Sequence, residues 1–169
     1  MPRVFRRLTD ADLPALLDLQ EPAAIEGLGE VFPQDAYPFP RDAVLARWRT
    51  ELADATITAY VANAEDGSLL GFAARRGEEV LHFGTTLETW GSGLATWLHD
   101  ELVATFDPGL PRLRLWVFTD NRRGRRFWEK HGWQPTGRTS RSTFAPYPQL
   151  LEYVRPTTTD ESVTLDGSR

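Results

Sequence analysis

The stretch VLHFGTTLETWGSGLATWLHDEL, residues 80–102, constrains this chain more than any other. Val80 to Thr86 is rich in β-formers, and Leu94, Leu98 and Leu102 recur at helical spacing. Between the two, Gly91 and Gly93 stand at the mouth of the helix. A helix N-terminus leaves several N–H groups without intrahelical partners, and the helix dipole adds partial positive charge there. Bare backbone at that point suits a phosphate docked on the main chain, because glycine lets it come close. The plainer alternative is a tight strand-to-helix turn with no guest.

The rest of the chain alternates in the same manner. Val4 to Leu8 reads as a first strand. Thr9-Asp10-Ala11-Asp12 resembles a capping box with Asp in place of Glu, opening a helix through Leu13, Leu16, Leu17 and Leu19. Residues 21–40 are broken by four prolines and read as irregular, before a second helix around Arg41 to Leu52. Runs at 56–63 and 68–75 flank Ala64-Glu65-Asp66-Gly67 and predict a hairpin. Leu113 to Phe118 is a fifth strand and Arg122 to His131 a fourth helix, while Trp133 to Arg138 and Leu150 to Arg155 can close the sheet. The pattern predicts a mixed α/β sheet with helices on both faces of one core. No internal repeat is visible. A chain of 169 residues fits a single domain over 1–155, followed by a flexible polar tail over 156–169.

Composition excludes several classes of function. The net charge of −5 gives no electrostatic reason to expect nucleic acid or an anionic membrane as partner. No cysteine is present, so disulfides, thiolate metal sites and a cysteine nucleophile are excluded, and no metal is expected. The first residues lack the apolar core of a signal peptide and no run reaches membrane-spanning length, which makes the cytoplasm the expected location.

Three phosphate-binding designs compete for the glycine loop. A P-loop requires Gly-Lys-Ser/Thr, and no lysine occurs here. A dinucleotide fingerprint wants a third glycine where Thr96 stands, and the first strand rather than the fourth. Trp90-Gly91-Ser92-Gly93-Leu94-Ala95 instead resembles the pyrophosphate loop of the GCN5-related N-acetyltransferase (GNAT) family, Arg/Gln-x-x-Gly-x-Gly/Ala. Gly93 and Ala95 match it, and Trp90 stands where Arg or Gln is usual. A second segment, WVFTDNRRGRRFWEKHGW, resembles the family's next motif through Asn121, Gly124, Phe127, Trp128, Gly132 and Trp133.

The resemblance implies an α/β (α+β) fold: a mixed, mostly antiparallel sheet of about six to seven strands flanked by about four helices. It implies acetyl-CoA (coenzyme A) as co-substrate and acyl transfer to an amine. It places the cofactor against Thr85, Thr86 and Leu87 at the strand end, and against Trp90, Gly91, Ser92, Gly93, Leu94, Ala95 and Thr96 in the loop. Asn121 would contact the pantetheine or nucleotide part, unless it is only a helix cap. From the arginine cluster at 122–126, Arg126 is the candidate for the 3′-phosphate, a solvated basic face being the alternative.

A thioester is already activated, so the chain needs no covalent nucleophile but must align a neutral amine and stabilise the oxyanion. Related enzymes carry Glu or His on the fourth strand as base, which makes Glu79 and His82 the catalytic candidates. Strict alternation puts these two on opposite faces unless a bulge intervenes. The family often has a Tyr proton donor where Trp128 stands; Tyr37, Tyr147, Tyr153 or water can replace it.

The segment after the first helix walls the acceptor site in the family. Here it carries Glu21, Glu26, Glu30 and Asp35 among Phe32, Tyr37 and Phe39. Acids beside aromatic faces suit a small cationic amine, with Glu30, Phe32 and Tyr37 as substrate-binding candidates. Scattered surface acids explain the same letters. A peptide or protein N-terminus is an alternative acceptor, and a non-catalytic acyl-CoA-binding sensor is an alternative role. A toxin acting on aminoacyl-tRNA conflicts with the acidic charge. Many members of the family are dimers, so a homodimer is open.

Overall fold

The computed structural model describes residues 3–157. Beyond Thr157 the tail expected over 156–169 lies outside the described residues, while Pro156 still belongs to a strand. Seven strands are present: β1 (Arg3–Arg7), β2 (Ile57–Ala64), β3 (Leu69–Arg76), β4 (Glu79–Thr85), β5 (Arg112–Phe118), β6 (Gln134–Arg141) and β7 (Gln149–Pro156). They form one sheet in the order β1-β2-β3-β4-β5-β7-β6, antiparallel throughout except at β4 and β5. Four helices flank it: α1 (Leu13–Gly27), α2 (Arg41–Ala53), α3 (Leu94–Val103) and α4 (Arg122–Lys130). This is the expected mixed, mostly antiparallel α/β architecture.

Polarity explains why the last strand inserts itself between β5 and β6. In β7, Glu152 and Tyr153 are buried, whereas all eight residues of β6 are exposed. The strand with apolar content therefore pairs with β5, and polar β6, carrying Pro135, takes the sheet edge.

Two apolar clusters lie on opposite faces. Under α1 and α2, Leu13, Leu16, Leu17 and Trp48 pack on Val61 and Phe72. On the other face Leu102, Leu113, Leu115, Trp128, Trp133 and Tyr153 form the second cluster. The buried Trp48 indole donates to Gln20 Oε1 (2.9 Å), which satisfies its polar end.

The entry to α1 follows from its capping residues. Asp12 accepts from the Thr9 amide (2.8 Å) and takes both terminal nitrogens of Arg6 at 2.8 Å. The Arg6 hydrogen bonds lower the Asp12 pKa to about 2. α1 runs further than the proline pattern predicts, passing through Pro22 to Gly27. The missing proline amide deprives only the Asp18 carbonyl, at an exposed residue where water is available.

α3 is tied to the neck of β6 by a buried histidine. His99 Nε2 accepts from the Trp133 indole (3.0 Å), so its proton sits on Nδ1 and faces Asp100 Oδ1 at 2.9 Å. Burial lowers the His99 pKa, and the charges of His131 and Arg155 push the same way, against the Asp100 hydrogen bond. The unfolded chain takes up this proton first as pH falls through about 6.5, so stability is full above that value and declines below it. Thermal unfolding between pH 8 and 5 is expected to show this loss. His99→Gln should flatten the Tm profile by one proton's worth.

β4 carries the irregularity that shapes the molecule. Its partners on β3 run Glu79↔Arg76, Val80↔Arg75, then His82↔Ala74, leaving Leu81 extra. The bulge puts Glu79 and His82 on the same face, that of α1 and α2, where strict alternation would have separated them. On its other side β4 pairs with β5 over Glu79↔Arg114 and Val80↔Leu115 alone. Beyond Val80 the two strands separate.

Candidate active site

Where β4 ends, a turn of 3-10 helix at Leu87–Thr89 leads into the glycine loop and α3. Gly91 has φ 83° and Gly93, the N-cap of α3, has φ 89°. Both are backbone conformations that favour glycine. A Cβ at either position would meet nothing within 4 Å, so the space above the loop is open. Leu94 N–H is held by Ser92 Oγ (3.3 Å) and Ser92 N–H by the Thr89 carbonyl (3.0 Å). Among the described residues, the amides of Gly91, Gly93, Ala95 and Thr96 make no main-chain hydrogen bond. Unpaired donors at a helix N-terminus under open space are the arrangement a diphosphate requires. Of the loop residues, Leu94 is the buried one and anchors the turn.

At the strand end the Thr86 amide is engaged by the Leu70 carbonyl (2.8 Å), and the Thr86 hydroxyl donates to Glu88. Strand alternation then turns the amides of Phe83 and Thr85 towards the side from which β5 has withdrawn. Thr85 itself is buried, and its carbonyl accepts from the Trp90 indole (3.3 Å). Leu87 opens the 3-10 turn beside it. Across the gap, Arg123 stacks its guanidinium 3.9 Å from the centre of the Trp90 ring. A cation is thus brought to the loop position where the family motif has Arg or Gln.

Asn121 caps α4, its Oδ1 accepting from the Gly124 amide (3.0 Å). A Cβ on Gly124 would lie 2.5 Å from Asn121 Nδ2, so glycine there is what lets the side chain fold onto the helix. Arg126 and Arg122 lie on the same helix, while Arg125 is bound to Tyr153 Oη (3.0 Å) and the Thr119 carbonyl (3.0 Å). Trp128 is buried in the second cluster against Phe83 and Trp133.

On the opposite face His82 meets two residues of α2. Its Nε2 lies 2.7 Å from Glu51 Oε2, and its ring centre 4.6 Å from that of Trp48. Burial would raise the Glu51 pKa, but the hydrogen bond and charge of His82, with Arg47 and Arg76, outweigh it and lower the pKa. An ionised Glu51 fixes the proton on Nε2 and leaves Nδ1 as the free lone pair. Glu79, the other candidate base, is paired with Arg114 (3.4 Å), which also binds Glu78 (3.2 Å). Glu51 was not among the residues singled out in the sequence, since its tie to His82 spans 31 positions.

Of the acceptor-site candidates, Phe32 is brought in: its ring packs edge-on to Phe118 of β5, centroids 5.4 Å apart. Gln34 braces that loop, donating to the Phe32 carbonyl (2.8 Å) and accepting from the Phe39 amide (3.0 Å). Glu30 and Tyr37 are exposed, and Glu21 is paired with Arg41 (2.9 Å). Tyr153 is fully buried, donating to Glu129 (2.8 Å) and accepting from Arg125, so its phenol is committed to the core. Tyr147 is exposed. Among the described residues no group of three or more His, Cys, Asp or Glu is placed to hold a metal ion, and no helix is long and apolar enough to cross a membrane.

A helix mouth with unpaired amides under open space, beside a parallel strand pair that splits apart, is an arrangement that can take the diphosphate and thioester of coenzyme A. Residues 14–133 match the model of the acetyltransferase (GNAT) family, and the chain belongs to that family. It is an acetyl-CoA-dependent N-acetyltransferase. No curated protein matches the chain in sequence. Among solved structures, it is similar to apo YjaB from Escherichia coli, at 21% identity and TM-score 0.70, over 91% of this chain and 97% of that one. An acetyltransferase from Thermus thermophilus aligns at 18% identity and TM-score 0.69, over 92% and 97%. Spermidine N-acetyltransferase from Vibrio cholerae, in complex with CoA and spermine, aligns at 15% identity and TM-score 0.66, over 92% and 95%. At these identities the likeness is one of fold.

Proposed function

We propose that the protein transfers the acetyl group of acetyl-CoA to the primary amine of a small acceptor, by direct attack in a ternary complex. The observation that carries this reading is the set of unpaired amides at Gly91, Gly93, Ala95 and Thr96, at the end of a strand, β4, that parts from β5 after Val80 and carries His82 against Glu51.

In this reading the loop amides and Arg123 hold the diphosphate, Arg126 takes the 3′-phosphate, and Asn121 Nδ2 faces the pantetheine. Bound acetyl-CoA supplies an acetyl group already activated as a thioester. The amides of Phe83 and Thr85 polarise the carbonyl oxygen. His82 Nδ1 takes the proton from the acceptor nitrogen as the C–N bond forms and the C–S bond breaks. Glu51 orients the imidazole and stabilises the imidazolium, as a carboxylate behind a histidine base does elsewhere. Glu79 keeps Arg114 in place. With Trp128 in the core and Tyr153 committed to Glu129, water returns the proton to the departing sulfur.

Phe32 and Phe118 wall the acceptor, and Glu26, Glu30 and Asp35 at the exposed rim attract amines in their ammonium form. Polyamines, of the kind named for the Vibrio cholerae neighbour, belong in the acceptor panel, as do peptide N-termini. We place the enzyme in the cytoplasm. Incubation with acetyl-CoA and a panel of primary amines, followed by detection of free thiol, tests the reading. Folded protein that binds acetyl-CoA but releases no thiol with any amine would contradict it.

A further inference from the structure

Among the described residues, Arg47 is a cation with no paired anion. It lies on α2 one turn before Glu51, yet no carboxylate approaches within ion-pair distance among the described residues. The acid whose charge it feels, Glu51, is already engaged by His82. Its Nε is sealed from solvent without a hydrogen-bond partner, the sole side-chain atom in that condition among the described residues. The two terminal nitrogens are equally unpartnered but keep some contact with solvent. The face of the guanidinium is covered by the Phe144 ring, 5.2 Å away, from the loop between β6 and β7. Stacking satisfies the face of the fork and leaves its edge, where the N–H groups point, empty.

A half-buried, unpaired guanidinium costs stability, because its lost hydration is not repaid by any partner. Burial accordingly lowers the Arg47 pKa, opposed by the charge of Glu51. Such a group is retained where a ligand completes it. The completing ligand must be an oxyanion of planar or forked shape, which the guanidinium edge binds with two parallel hydrogen bonds. Positions one helical turn apart have Cβ atoms about 6 Å from each other, so one small molecule can touch Arg47 and the Glu51–His82 pair together.

We infer that the acceptor is an amino-acid-type molecule, whose primary amine meets His82 while its carboxylate, or an equivalent oxyanion, docks on the edge of Arg47. This inference rests on the acetyltransferase reading above and narrows its acceptor from amines in general to amines that also carry an anion. Phe144, stacked on the face of the guanidinium, leaves that edge open to the carboxylate, and the acidic outer rim still attracts the ammonium end.

Two measurements test it. In the first, thiol release is followed with L-methionine, L-phenylalanine and L-glutamate, each against its amide and its decarboxylated amine, with spermidine alongside. Wild-type enzyme is expected to favour the acids by about 100-fold in kcat/KM, as sites built to pair a polar group do. In Arg47→Gln the ratio of acid to amide should fall to within about threefold, and Arg47→Lys, a point charge without the fork, should lie between. Tm of Arg47→Gln should equal or exceed that of wild type, since an unpaired buried charge is removed.

In the second, CoA-loaded protein is titrated calorimetrically with N-acetyl-L-methionine and with its amide. Binding of the acid alone, lost in Arg47→Gln, supports the site even if no acceptor in the first assay releases thiol; that combination would sink the transfer reading instead. Equal or better turnover of spermidine or of the amides by wild type overturns the inference. So does undiminished binding of N-acetyl-L-methionine to Arg47→Gln.

Discussion

Gly93→Asp is expected to weaken acetyl-CoA binding by about 100-fold, or about 3 kcal/mol, with little change in Tm. Gly93 has φ 89°, a region that Asp and Asn tolerate better than other side chains, and a Cβ there meets nothing within 4 Å. The fold therefore has room for the new side chain. The carboxylate, however, would sit among the unpaired amides of Gly91, Ala95 and Thr96 and occupy the position proposed for the diphosphate. Two like charges about 4 Å apart repel by about 4 kcal/mol at an effective dielectric of about 20, before screening by salt. Gly93→Asn has nearly the same shape without the charge, and should weaken binding by about tenfold at most. Calorimetry with CoA at two salt concentrations separates the contributions, because only the aspartate penalty shrinks as salt rises. Equal affinity in Gly93→Asp and wild type would remove the loop as the anion site.

His82→Gln is expected to lower kcat by about 100- to 1000-fold while leaving acetyl-CoA affinity unchanged, since a positioned base contributes on that order. Glu51→Gln should reduce kcat by about tenfold, in the range found when a group that orients a histidine is removed. A purely structural Glu51 would change Tm and leave kcat where it was. Retention of the wild-type rate in His82→Gln would assign the base elsewhere. The His82–Trp48 contact would then be ordinary packing.

Most of the architecture was legible in the residues. The leucine spacing of α1 and α3, the hairpin at Ala64–Gly67 and the capping pattern at Thr9–Asp12 are local signals, and each element formed within a few residues of its expected place. The extension of α1 through Pro22 was not legible, because proline discourages a helix locally while packing of the turns before it carries the chain onward. The glycine loop was legible for a similar reason to the leucines. Positive φ at Gly91 and Gly93 is a demand that one residue type meets best, so the demand appears in the letters. His82 could be found because its strand was visible. Its partner could not, because Glu51 looks like any acid on the exposed side of a helix.

The amino-acid order by itself settled most of which segments become strands and helices, and which turn would take positive φ at its glycines, since both depend on neighbours within a few positions. Folding in three dimensions decided the rest. It put an extra residue at Leu81 so that Glu79 and His82 share a face, set Glu51 against an imidazole 31 positions away, and left Arg47 Nε without a hydrogen-bond partner among the described residues. A bulge, an ion pair between helix and sheet and an unmet charge are properties of distances between remote parts of the chain, and periodicity along the chain carries no record of them.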